Sequence, residues 1–132
     1  MTGPAKDPAD DPAATDPDRA ARIAAANDAF RKTASSGVVF TATLAAEGLV
    51  TMLAILAKVR AYDAFTPDND PYGEHEFGSL THALSLGGTP RPETCIWKID
   101  TYADASLAFG AEDPLDANAV RIGHLIYNSL LR

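Results

Sequence analysis

Apolar side chains recur in this chain with two periods, one typical of helices and one typical of strands. Residues 16–34 carry them at three- and four-residue steps, which predicts a helix with Ile23, Ala26, Asn27 and Phe30 on its packing face. Asp16 followed by Pro17 is a typical helix start, because the carboxylate accepts free backbone N–H groups and proline needs no partner there. Asn27 is the polar member of the face, and we expect it to hydrogen-bond to a neighbouring loop.

Residues 49–65 show the same spacing and predict a second helix, which covers the sheet. Its predicted packing stripe consists of Leu49, Met52, Leu53, Leu56, Val59, Tyr62 and Phe65. A third helix is predicted over residues 116–131, because apolar residues there would surround most of a helical surface. That breadth indicates either burial or a homodimer contact through this C-terminal helix.

A short run rich in β-branched residues predicts a strand over residues 38–44. Residues 74–80 or beyond and 95–102, which lie on either side of a Gly- and Pro-rich turn, predict two antiparallel strands. The elements therefore follow the order helix, strand, helix, strand, strand, helix. This order predicts a single α+β domain over residues 16–132, with a small antiparallel sheet of about three strands packed against about three helices. Residues 1–15 repeat Asp, Pro and Ala, a composition that predicts a disordered tail.

Alternation within the last predicted strand places Cys95, Trp97 and Ile99 on the buried face. Cys95 is the only cysteine, which excludes an internal disulfide and suits a reducing compartment. The first residues lack the features of a signal peptide, and no apolar run reaches the length of a membrane span. We therefore expect a cytoplasmic protein that makes no membrane contact and has no cofactor.

The net charge of −7 is concentrated in the second half of the chain. Residues 61–120 hold eleven Asp or Glu against Arg91 and Lys98, whereas residues 19–60 carry more basic than acidic side chains. Such a separation attracts a charged partner at long range, although the same acids are also compatible with solvated turns alone. The acidic total argues against direct nucleic-acid binding.

Residues 66–78 contain an unusually dense mixture of turn formers, carboxylates and aromatic side chains. Within them, residues 70–73 have the order Asp, Pro, Tyr, Gly, which is typical of a β-turn. We expect Lys98 to lie near Glu74 or Glu76 across the paired strands. The predicted binding residues are Asp68, Asp70, Tyr72, Glu74, His75, Glu76, Lys98 and Asp100.

Two kinds of chemistry remain open for these residues. As a recognition surface, the aromatic side chains would anchor a basic partner and the carboxylates would select it. As a small enzyme, the region of Asp70, Glu74, His75 and Asp100 would perform metal-dependent or acid-base chemistry, with Asp70, His75 and Asp100 as the metal ligands if a metal binds. The spacing matches no established zinc motif. A purely structural role, in which the carboxylates hold backbone amides, is the third reading.

Four motifs carry a family resemblance: N-D-A-F-R at residues 27–31, T-P-D-N-D-P-Y-G-E-H-E-F-G at 66–78, W-K-I-D-T-Y at 97–102 and F-G-A-E-D-P-L-D at 109–116. They resemble a bacterial family catalogued as domain of unknown function 3768, met mainly in alphaproteobacteria, including their plasmids. The resemblance covers roughly residues 20–122 and implies a shared fold, but no activity to carry over. The family's C-terminal hydrophobic helix with an acidic-aromatic end is not matched here.

Together these features favour a small acidic binding or regulatory module over an enzyme. The expected partner is a protein with a basic surface, such as a nucleic-acid-binding enzyme. The resemblance to plasmid-borne proteins makes an anti-restriction or anti-defence role the specific hypothesis.

Overall fold

A computed structural model describes residues 16–33 and 36–127 of the 132-residue chain. The helices are α1 (Pro17–Thr33), α2 (Ala42–Ala45) and α3 (Leu49–Arg60). The strands are β1 (Val38–Phe40), β2 (Phe77–Leu84), β3 (Arg91–Tyr102) and β4 (Val120–Tyr127). This architecture confirms the predicted α+β class, with a fourth strand added. The tail predicted over residues 1–15 lies outside the described residues.

The strands form one mixed sheet in the order β1-β4-β3-β2. β1 runs parallel to β4, and the other neighbouring pairs are antiparallel. The register places Trp97 of β3 between Gly78 of β2 and Leu125 of β4. Because pairing partners share a face, these positions lie together on the side of the sheet that the helices cover.

The core lies between this face and the helices. Its fully buried residues are Leu44, Ile55, Val59, Leu84, Cys95, Trp97, Ile99 and Leu125. The predicted burial of Cys95, Trp97 and Ile99 is thereby confirmed. None of the helices in the described part of the chain is both long enough and apolar enough to cross a membrane.

The helix predicted over residues 116–131 is wrong, because residues 120–127 form the central strand β4. Pairing with β3 on one side and β1 on the other satisfies the backbone of this segment from both directions. Every residue of β4 is buried or half-buried, so its apolar residues do not alternate cleanly with exposed polar ones and are equally compatible with a helix. Residues 120–127 therefore provide no helical surface for the homodimer contact that was expected from a C-terminal helix.

Several other boundaries also differ from the predictions. β3 begins at Arg91 and not at Cys95, because its first residues pair with the end of β2. Three more boundaries lie at tertiary contacts. The strand from Val38 ends at Phe40, after which α2 turns Leu44 into the core. α3 ends at Arg60 and not near residue 65, because the Arg31 side chain binds its last carbonyls. β2 begins at Phe77, three residues late, because the preceding segment is held against α1.

Candidate functional site

Polar residues of α1 meet the loop before β2, and Asn27 makes the first connection. Its side chain is only 2% exposed, and its Nδ2 donates to the Glu74 backbone oxygen at 2.8 Å. Its Oδ1 accepts from Arg121 Nε at 2.7 Å. The expected hydrogen bond from Asn27 to a neighbouring loop is confirmed, and the same side chain also fixes the start of β4.

Arg31 lies one turn further along α1 and joins it to the end of α3. It is 4% exposed, and Nη1 donates to the carbonyl oxygens of Val59 at 2.8 Å and Arg60 at 3.1 Å. Its guanidinium carbon lies 5.3 Å from the centre of the Trp97 ring, a cation-π distance. A cation at this position binds carbonyl oxygens at the C-terminus of α3 and compensates the negative end of the helix dipole.

His75 occupies the centre of the contact between α1 and the loop. Its imidazole stacks on Phe65 with 3.8 Å between ring centres and an interplanar angle of 2°. Nδ1 lies 3.0 Å from both carboxylate oxygens of Asp28, and Nε2 lies 3.8 Å from Asp70 Oδ2. The backbone φ of His75 is +56°, in the left-handed region that costs most non-glycine residues energy. We name Asp28, Arg31, Phe65, Asp70 and His75 the His75 cluster.

Asp28 carries a charge that two neighbours stabilise. Its Oδ1 accepts from Arg31 Nη2 at 2.8 Å and lies within hydrogen-bond distance of His75. Burial alone raises the pKa of Asp28, but the hydrogen bonds and charges of Arg31 and His75 outweigh it and lower that pKa below its ordinary value. Asp28 is therefore ionised at neutral pH and orients the imidazole.

Asp70 shapes the loop that presents His75. The Gly73 N–H donates to the Asp70 backbone oxygen at 3.0 Å, which confirms the β-turn predicted for residues 70–73. The carboxylate is 10% exposed and accepts the backbone N–H groups of Glu74 at 3.2 Å and His75 at 3.4 Å. Asp70 therefore performs the structural role of holding backbone amides.

Next to His75, the charges of three carboxylates, Asp70, Glu74 and Asp100, act on a fourth, that of Glu76. Burial raises the pKa of Glu76, and the charges of Glu74, Asp70 and Asp100 raise it further against the opposing charge of Lys98. The pKa of Glu74 is also raised, mainly by burial and further by the Asp70 charge, against the opposing charge of Arg19. We name these four residues the acidic face.

Lys98 lies near Glu76, as expected, and its ion pair is with Asp100. The distance from Lys98 Nζ to Asp100 Oδ1 is 3.2 Å, since both side chains leave β3 on the same face. Asp100 Oδ2 also lies 3.1 Å from His124 Nε2, an ion pair by distance that lacks the alignment of a hydrogen bond. Within residues 16–33 and 36–127, no three His, Cys, Asp or Glu side chains are grouped to hold a metal, so Asp70, His75 and Asp100 are not brought together as ligands.

The remaining predicted residues lie on the surface around the cluster. Asp68 is exposed in the turn before Asp70, and Tyr72 is 41% exposed. An open depression between the loop and α1 is lined by Ala20, Phe65, Thr66, Asp70, Tyr72 and His75. Phe77, 39% exposed, lies on the far side beside Glu76 and Lys98.

Asp28, Arg31, Phe65 and His124 were not among the site residues that the sequence predicted. Arg31 was detectable, because it follows Asn27 by four residues and so shares its buried helical face. The other three contact their partners through tertiary pairing, for which the sequence holds no local signal.

The fold and the site define a small α+β protein with a polar junction on the helical side, formed by the buried Asn27 and Arg31 with their hydrogen-bond partners, and with the acidic face beside it. By sequence comparison the chain belongs to the family described as protein of unknown function (DUF3768), whose model matches residues 40–125. That range includes the loop with His75 and all of β3, and it begins after the α1 residues of the junction. Neither the curated proteins nor the solved structures contain a significant match.

Proposed function

We propose that the protein is a small acidic binding module that recognises a basic surface on a partner protein through the acidic face. The observation that carries this proposal is the gathering of Asp70, Glu74 and Asp100 around Glu76, whose pKa is raised first by burial and then by the charges of these three neighbours. The polar junction holds Glu74 by its backbone oxygen, and β3 holds Glu76 in the same way through Ile99 N–H at 2.8 Å. The carboxylates are therefore presented on a fixed backbone, although their charges repel.

Two exposed aromatic side chains lie beside these charges. Tyr72 and Phe77 are 41% and 39% exposed and flank Glu74 and Glu76 in the chain. Aromatic side chains frequently dominate binding energy at interfaces, while surrounding charges set specificity and the rate of association. Cations from the partner would lower the repulsion between the carboxylates, which favours the bound state.

The net charge of −7 extends this attraction beyond the contact surface. Enzymes that bind nucleic acid expose a basic surface of the kind required, so a cytoplasmic restriction or other defence enzyme is the specific partner class that we propose. This part of the proposal depends on the resemblance to plasmid-borne bacterial proteins.

The test is fluorescence anisotropy with a labelled oligoarginine peptide as the probe. The triple variant Glu74→Gln/Glu76→Gln/Asp100→Asn removes three charges of the acidic face, and Asp63→Asn/Glu112→Gln/Asp116→Asn removes three charges elsewhere. We expect the first variant to weaken binding at least about tenfold and the control to weaken it about twofold or less, with salt reducing the difference. Equal losses in both variants would show that only net charge matters and would contradict a specific face.

A second candidate function, acid-base catalysis, is favoured by the contact between Asp28 and His75. A carboxylate on Nδ1 fixes the orientation of an imidazole and supports proton transfer at Nε2. The open depression beside His75 would admit a small substrate. Asp70, whose Oδ2 lies near Nε2, would either assist the proton transfer or compete with the substrate for this nitrogen.

This candidate is tested by incubating the protein with chromogenic carboxylic and phosphoric esters. Catalysis predicts turnover by the wild type that His75→Gln abolishes while circular dichroism shows an intact fold. Turnover that survives in His75→Gln would exclude His75 as the acid-base group.

A further inference from the structure

Strand β2 lies at one edge of the sheet, so alternate residues direct their backbone groups to the open side. The Glu76 oxygen accepts the Ile99 N–H at 2.8 Å, which fixes the even-numbered residues of β2 as those that pair with β3. The N–H and C=O groups of the odd-numbered residues therefore point away from the sheet. We name these residues the β2 edge: Phe77, Ser79, Thr81 and Ala83.

The β2 edge is open to a further strand, since all of its residues are exposed. Among the residues that the structure describes, one hydrogen bond reaches its outward groups, from Lys58 Nζ to the Thr81 oxygen at 2.7 Å. Lys58 is itself exposed and binds through a flexible stem, so it can leave this oxygen without a change in the backbone.

The sequence of β2 does little to protect this edge. Proteins usually prevent an edge strand from pairing with other chains by charged residues, proline, bulges or shortness. β1, at the other edge, is three residues long, whereas β2 is eight residues long and holds no Asp, Glu, Lys, Arg or Pro. Its register with β3 is uninterrupted. β2 therefore has the features of a template for strand addition.

We propose that the β2 edge binds an extended, basic segment of a partner protein by strand addition. This inference rests on the proposed function of the acidic face and specifies the form in which the partner binds. A row of outward N–H and C=O groups is complementary to the backbone of an extended chain, which supplies the same groups at the same spacing. The backbone of β2 thus defines the ligand as an extended segment of a polypeptide.

The charge of the segment follows from Glu74 and Glu76, which precede the β2 edge in the chain. Neither carboxylate makes a hydrogen bond or an ion pair with any residue of the described part of the chain. Both are therefore available to basic side chains of a segment that extends past the start of β2. A second copy of this chain fits less well, because its β2 carries no Lys or Arg and its net charge is −7.

The first test is amide hydrogen exchange of the full chain, with and without a synthetic peptide of alternating Thr and Val. Arginines at both ends of the peptide allow it to bind in either direction. With the peptide, the outward amides of Ser79, Thr81 and Ala83 should exchange at least about tenfold more slowly. The amides of Leu80 and His82, which face β3, should change about twofold or less. The same peptide methylated on its backbone nitrogens keeps its charge but lacks the donors, so it should protect none of them.

The second test compares two variants of Ser79 by fluorescence anisotropy with the labelled peptide. Ser79→Pro removes an outward N–H and leaves the pairing with β3 intact, because proline is tolerated where the N–H of an edge strand faces solvent. Ser79→Thr keeps the N–H and is the matched control. We expect Ser79→Pro to weaken binding at least about tenfold and Ser79→Thr about twofold or less, with circular dichroism showing that both are folded.

The variant Glu74→Gln/Glu76→Gln separates this proposal from the proposed function. Outward amides that stay unprotected while this variant still weakens binding would overturn strand addition and leave the acidic face as the binding surface. Protection that persists undiminished in the variant would contradict the acidic face and the basic segment. Equal binding by Ser79→Pro and the wild type would also overturn strand addition. Protection without peptide that grows with protein concentration would assign the edge to a second copy.

Discussion

Trp97 is the largest of the fully buried side chains in the described part of the chain. It is 1% exposed and meets Tyr62 and Phe65 edge to face, with ring centres 5.3 Å and 6.0 Å away. We expect Trp97→Ala to lower the free energy of unfolding by about 3–5 kcal/mol, because the truncation leaves a cavity under α3. Urea denaturation followed by circular dichroism measures this, with Trp97→Phe as a milder control. A loss below about 1 kcal/mol would contradict the packing described.

Gly78 lies opposite Trp97 and has no room for a side chain. A Cβ at this position would lie 2.6 Å from Trp97 Nε1 and 2.7 Å from Tyr62 Cζ. Both rings are packed in the core, so Gly78→Ala should destabilise the protein by about 1–3 kcal/mol. The control is Gly88→Ala, whose nearest neighbour is the Ser85 backbone oxygen at 3.7 Å and which should change stability by less than about 0.5 kcal/mol. Equal effects in a urea melt would refute the close approach.

Asp28 balances the buried charge of Arg31. The variant Asp28→Asn leaves that guanidinium without an ionised partner, and we expect it to cost about 1–3 kcal/mol at neutral pH, moderated because Asp28 is partly exposed. Since the fold lowers the pKa of Asp28, its contribution is present above the ordinary value of 3.8 and is lost as the pH falls through the lowered pKa. Urea melts at neutral and acidic pH should therefore show that the difference between wild type and variant shrinks in acid. A constant difference would contradict the ionised pair.

At the scale of elements, β4 joins β1 to the rest of the sheet. It lies between β1 and β3, so its amides are paired in the interior of the sheet, whereas β1 and β2 form the edges. Native-state hydrogen exchange should show the slowest amides in β3 and β4, with exchange close to the rate of global unfolding, and fast exchange through most of residues 103–119. Exchange in β4 as fast as in that loop would contradict its central position.

The boundaries of α3 and β2 show how one side chain can end an element. Arg31 binds the carbonyls of Val59 and Arg60 at the end of α3. Tyr62 and Phe65 therefore lie beyond the helix, where Tyr62 packs beside Trp97 and Phe65 packs beside His75. The chain then reaches β2 only after His75, whose positive φ is incompatible with a regular strand. The His75 cluster is thus part of the fold as well as a candidate site.

At the scale of the whole molecule, the excess of acidic side chains should affect how the free energy of unfolding depends on pH. Because the fold raises the pKa of Glu74 and Glu76, the folded state binds more protons than the unfolded state over the range above the ordinary value of 4.5. Their contribution to stability is therefore present below that value and is lost as the pH rises through the raised pKa.

The variant Glu76→Gln tests this charge repulsion. It should be slightly more stable than the wild type near neutral pH, by up to about 0.5 kcal/mol, and should lose stability less steeply as the pH rises. Thermal melts between about pH 4.5 and 7 measure both effects, with the exposed Glu112→Gln as the control. A Glu76→Gln variant that is less stable than the wild type at neutral pH would show that the carboxylate makes a favourable contact.

Sequence alone determined the features that depend on neighbouring residues. Asp16 caps α1 through the N–H groups of Asp18 at 3.0 Å and Arg19 at 3.3 Å, as its position before Pro17 predicted. The turn at residues 70–73 and the buried alternation of β3 were also readable, because turn chemistry and a period of two are local properties.

Tertiary structure decided the features for which local patterns have two solutions. Residues 120–127 are apolar enough for a helix or a buried strand, and only pairing with β1 and β3 selects the strand. Leu49 and Leu53 match a packing stripe in sequence, yet they are exposed because the sheet meets the side of α3 that carries Ile55 and Val59. The contact between Asp28 and His75 likewise joins residues 47 positions apart, a separation that only the packing of α1 against the loop brings within hydrogen-bond distance.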